Sequence, residues 1–147
     1  AAWLVTSDCL NTLGGFDPLF FMYGEDGDYC NRARWHGFEI GVVPSAIIFH
    51  DRPRARFLQG GQAVKMESLV VFRFSSMLGN LKQPYGSFMR RLGSWGLRSL
   101  RDGLALAVTG RLRELLAWII ALLRIVVALP RIWIHRKMVR ERGRHWL

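Results

Sequence analysis

The chain has 147 residues, half of them hydrophobic, two cysteines and a net charge of +10. That apolar content permits a real core and excludes an intrinsically disordered chain, while two cysteines without metal-type spacing exclude a disulfide framework and fit a reducing compartment. The charge is divided: residues 1–51 hold seven acids against two Arg, a net of −5, and residues 52–147 hold four acids against nineteen Lys and Arg, a net of +15.

The chain opens Ala1-Ala2-Trp3-Leu4-Val5 with no initiating Met, which reads as the interior of a domain and predicts a C-terminal fragment. Residues 2–6 predict a short buried strand. Ser7 is expected to cap a two-turn helix over Asp8–Leu13, stopped by Gly14-Gly15. Cys9 and Cys30 read as small buried apolar residues. A turn at Phe16-Asp17-Pro18 and the loop Leu19–Gly24 lead to Glu25-Asp26, and Asp28–His36 predicts a second helix ended by Gly37. Ile40–Val43 and Ala46–Phe49 then read as short strands either side of Pro44-Ser45, finishing at His50. Strand, helix, acidic loop, helix, strand predicts the edge of an α/β domain over residues 1–53. From residue 54 to 147 the pattern becomes a mainly α-helical extension, with helices expected at about 63–79, 85–101, 111–129 and 131–142.

Three acids in four positions, Glu25, Asp26 and Asp28, precede or open a helix whose dipole favours their ionised form. An ionised carboxylate is a candidate base, and the simpler alternative is that all three are N-terminal capping acids. The aromatic run that precedes the acids, Phe20-Phe21-Met22-Tyr23, suits the walls of a sugar site. A calcium loop at Asp26-Gly27-Asp28 fails, because the twelfth position is Gly37 and the mid-loop position is Asn31. His50 closes the last strand, where α/β sheets place ligands, and its imidazole is a candidate for a divalent cation.

Several spaced elements occur in order: Gly14-Gly15-Phe16-Asp17, then Phe20 to Cys30 around Gly24-Glu25-Asp26, then Arg32, Gly37, Val43-Pro44 and His50. Over about residues 1–53 this order resembles the acceptor-side segment of family 2 glycosyltransferases with a GT-A fold, above all the rhamnosyltransferase-like members of bacterial polysaccharide synthesis. The resemblance implies an inverting transfer from a UDP- or dTDP-linked sugar to a lipid-linked or growing glycan. Asp26 would be the catalytic base, with Glu25, Asp28, Tyr23 and Trp3 at the acceptor. His50 would help hold Mn²⁺ or Mg²⁺ against the departing diphosphate. The family's nucleotide-binding half, with its Asp-any-Asp motif, does not occur in the chain, so the segment alone is expected to be inactive.

Leu115–Leu129 is the most apolar window, but its fifteen residues reach only about 22 Å as a helix against a hydrocarbon core of roughly 30 Å. Arg124 within it would cost about 2.5–3.5 kcal/mol at a bilayer centre, and Pro130 follows. An interfacial helix is the preferred reading over a helix packed in a bundle or a tilted span. Arg-rich flanks interleaved with Trp95, Trp118, Trp133 and Trp146 predict an anionic membrane surface as partner, at the cytoplasmic face of a bacterial inner membrane. Nucleic acid is not expected, since the apolar run has no use there and no recognition signature is present. The competing class of function is a non-catalytic membrane- or partner-binding module that keeps the acidic segment only as structure.

Overall fold

In a computed structural model of the chain, residues 2–49 and 65–142 are described. Five helices follow one another: α1 Ser7–Leu13, α2 Glu25–Trp35, α3 Met66–Lys82, α4 Phe88–Val108 and α5 Leu112–Arg142. The fold is 69% helical with no strand among the described residues, which overturns the α/β expectation for residues 1–53. The three segments read as strands have strand-like composition but no neighbour to complete a ladder. Leu4, Val42, Ile47 and Phe49 are 100%, 88%, 80% and 94% exposed, and a lone β-branched run has no partner for its backbone donors and acceptors. Pro44-Ser45, expected to separate the two segments, makes a turn, with Ala46 N–H donating to the Val43 carbonyl at 3.1 Å. The boundary drawn at residues 53 and 54 lies outside the described residues, as does His50.

Each short helix has a local cause. Thr6, one residue earlier than expected, caps α1 by accepting a hydrogen bond from Cys9 N–H at 3.3 Å, and Gly14 at φ 70° ends it. Helix α2 begins at Glu25, three residues before the expected start, because Tyr23 and Gly24 turn the chain through left-handed backbone at φ 68° and 90°. A side chain at Gly24 would meet the Phe20 ring at 3.2 Å. The helix closes in a Schellman arrangement: Gly37 at φ 81°, Gly37 N–H to the Arg34 carbonyl and Phe38 N–H to the Ala33 carbonyl.

Helices α3 and α5 form the main core. On α5, Ala117, Ala121, Ile125, Ala128, Ile132, Arg136 and Val139 recur every three or four residues and are buried, a single stripe at the helical period. Ala at three of these positions lets the α3 residues Met77, Leu78 and Leu81 pack closely, and Phe20 from the first half of the chain inserts among them. A smaller core of Cys9, Leu13, Tyr29 and Ala33 joins α1 to α2. Pro130 does not end α5, contrary to the expected break. It forfeits one hydrogen bond, to the Val126 carbonyl, and lies on the exposed side away from α3. Helix α4 likewise runs past the expected end near 101, since Gly103 lies under the Trp118 indole, where a Cβ would come within 2.7 Å of the ring.

Candidate functional site

The acidic run places its three carboxylates in three different environments. Asp26 stands on the first turn of α2, exposed, and its Oδ1 accepts only from the neighbouring Gly27 N–H at 2.7 Å. Glu25 is half-buried, and its Oε2 has no hydrogen-bond partner. Asp28 is buried and committed: Oδ2 accepts from Arg32 Nε at 2.9 Å, and Oδ1 lies 3.4 Å from Lys82 Nζ.

Asp28 belongs to a buried ionic cluster that sequence reasoning missed. Lys82, at the end of α3, also contacts the Asp17 carboxylate, and His135 of α5 lies 3.7 Å from the same oxygen. Asp17 Oδ1 accepts from Leu19 N–H at 2.7 Å, holding the Asp17-Pro18 turn. Arg32 donates to the Leu13 and Gly15 carbonyls, both at 2.9 Å, and its guanidinium stacks 4.9 Å from the Tyr29 ring centroid. Two carboxylates and two cations thus balance inside the protein. Burial pushes the Asp28 carboxyl up from its usual range, against the opposing pull of Arg32. Burial likewise draws the Lys82 ammonium down, to about 7. The Asp28–Arg32 pair at i,i+4 was a readable signal. Lys82 was not, because a lysine in the last turn of a helix ordinarily reads as a solvated cation favoured by the dipole.

The aromatic candidates separate. Tyr23 is exposed and meets Phe72 of α3 edge-on at 6.3 Å, next to Glu25-Asp26 in the chain. Trp3 packs edge-on against Phe16 at 5.9 Å and Tyr29 at 5.8 Å, on the α1–α2 side. Among the described residues no group of three His, Cys, Asp or Glu is placed to hold a metal ion. The acids of α2 do not fit a divalent cation, since Asp28 is already neutralised by Arg32 and Lys82.

The basic half has an exposed apolar face. One helix, spanning Leu112–Glu141 with mean hydropathy 2.2 in its most apolar window, is long and apolar enough to span or associate with a membrane, and 28% of that window is buried in the protein. On α4, Leu97, Leu100, Leu104 and Val108 share an exposed face, and on α5 Leu112, Leu116, Ile119, Leu123 and Val126 do the same. No family model, curated protein or solved structure matches this chain.

Proposed function

We propose that this chain carries the catalytic-base segment of an inverting, membrane-associated glycosyltransferase. The observation that carries the reading is the division of labour within Glu25-Asp26-Gly27-Asp28: Asp28 is held by two cations, whereas Asp26 is exposed with no side-chain partner. A base must reach its proton, and of the two aspartates Asp26 alone faces solvent. Its carboxylate would take the proton from an acceptor hydroxyl as that oxygen attacks the anomeric carbon of a nucleotide-linked sugar. Glu25 and Tyr23 flank the same turn and would orient the acceptor. Exposed apolar faces on α4 and α5, with basic residues on both helices, favour work at the cytoplasmic surface of a membrane on a lipid-linked glycan.

The test is transfer by the full-length protein from a panel of UDP- and dTDP-sugars, beside its Asp26→Asn variant. Turnover should fall by about 10²–10⁴ in the variant if the carboxylate is the base. Equal turnover by both proteins would remove Asp26 from the chemistry and leave the acidic segment as structure within a membrane-binding module.

A further inference from the structure

A cavity of about 720 Å³ opens between the end of α2, the start of α4 and the last turns of α5. Its size lies within the roughly 300–1,000 Å³ of small-ligand sites. Arg136, Lys137 and Arg140 converge on it, and Glu141 is the one acid in its lining. Glu141 pairs with Lys137 at 3.9 Å, and both side chains are more than half exposed, so that pairing is weak and the cavity keeps a cationic excess.

The cations divide into a builder and two binders. Arg136 is 3% exposed and donates to the carbonyls of Gln83, Tyr85 and Gly86 at 2.7, 2.8 and 2.6 Å, which fixes the turn forming one wall. Arg140 lies 5.5 Å from the Trp35 ring centroid and Lys137 lies 6.0 Å from that of Trp133. Each indole steadies a cation from one side. Both cations are exposed.

The cavity is also the end of a track. Ile119, Leu123, Val126, Trp133, Lys137 and Arg140 succeed one another at helical spacing along the exposed face of α5. Its apolar part, from Ile119 to Trp133, runs about 21 Å. One face of one helix therefore changes from apolar to cationic where the cavity begins.

We propose that this cavity binds a phosphate or diphosphate monoester borne on an apolar chain, the head in the cavity and the chain along the α5 stripe. The proposal rests on the glycosyltransferase reading and deepens it by naming the chemistry of the acceptor's anchor. Trp35 in the cavity wall and Asp26 lie on the same helix, about 14 Å apart along its axis.

The test is binding of the full-length protein to neutral phosphatidylcholine vesicles doped with equal amounts of phosphatidic acid, a monoester, or phosphatidylglycerol, a diester. The Lys137→Gln/Arg140→Gln variant is compared with Arg98→Gln/Arg101→Gln, which removes the same charge from exposed positions on α4. Wild type and the α4 variant should prefer phosphatidic acid, and the cavity variant should lose about tenfold or more of its binding to that lipid. Equal binding to the two lipids, or equal losses in the two variants, would overturn the site. Inorganic pyrophosphate should compete poorly; competition at concentrations matching the lipid would show that the apolar chain contributes nothing and overturn the track. The Asp26→Asn protein should keep the phosphatidic acid preference. Its loss of transfer with binding intact keeps both readings, whereas transfer by a wild type that shows no such preference defeats this site alone.

Discussion

The junction of the first half with α3 and α5 and the outer face of α4 and α5 reverse the usual distribution of side chains. At the junction Asp17, Asp28, Arg32 and Lys82 are at most 7% exposed, while on the outer face Leu97, Leu104, Leu123 and Val127 are at least 58% exposed. Buried ions demand partners in fixed places, so they specify how the acidic half docks on the helices. Exposed apolar residues specify nothing inside the protein, and their continuity over two helices directs them toward an apolar medium outside it. The acidic half is positioned by charge, whereas the basic half is left free to meet a surface.

The comparison breaks most severely at Lys82. Lys82→Met leaves the Asp17 and Asp28 carboxylates without their shared ammonium and should cost about 3–5 kcal/mol in chemical unfolding followed by circular dichroism. Asp17→Asn combined with Lys82→Met should cost less than the two changes added together, because the second removes a charge the first has stranded. Additive costs would mean that Lys82 and Asp17 act separately and that the docking is held elsewhere.

How far this was legible in the sequence depends on whether a signal was local. The Gly37 stop and the break at Pro44-Ser45 are written in adjacent residues and occur where expected, the second as a turn. Asp26 was singled out as the candidate base by the resemblance alone, and its environment differs from that of Asp28 through a local pair, Asp28 with Arg32, and a distant one, Asp28 with Lys82. The strands failed for the opposite reason, since alternation and β-branching say that a segment suits a sheet without supplying the neighbouring strand. Pro130 was read as ending its helix, yet it is accommodated on the exposed side of α5, and α4 continues through Gly103, over which the Trp118 indole is seated. The cavity at Arg136 and Arg140 brings together α2, α4 and α5, a juxtaposition that spacing along the chain does not reveal.

The outer face gives the next test. Leu104→Glu and Leu123→Glu alter side chains 58% and 60% exposed, so unfolding stability in solution should hardly change. Binding to anionic vesicles should weaken by about 1.5–3 kcal/mol for each leucine that enters the bilayer interface, tenfold or more in partition. Flotation with vesicles measures this directly. Unchanged partition by both variants would show that the exposed leucines do not meet lipid and would leave the basic residues as the sole attraction.

The smallest effect expected on stability is the one that best separates position from chemistry. Asp26 and Asp28 occupy the same two turns of α2, but the first is exposed with one local hydrogen bond and the second is fastened to Arg32 and Lys82. Asp26→Asn keeps an oxygen that can accept from Gly27 N–H and removes only an exposed charge near a helix N-terminus, a loss of about 0.3–1 kcal/mol. Asp28→Asn removes the carboxylate that Lys82 and Arg32 share and should cost several times more, with unfolding monitored as above. Two variants of equal stability would place Asp28 outside the docking cluster. A large loss from Asp26→Asn would tie that residue into the fold after all, and a fall in transfer could then no longer be assigned to its carboxylate acting as a base.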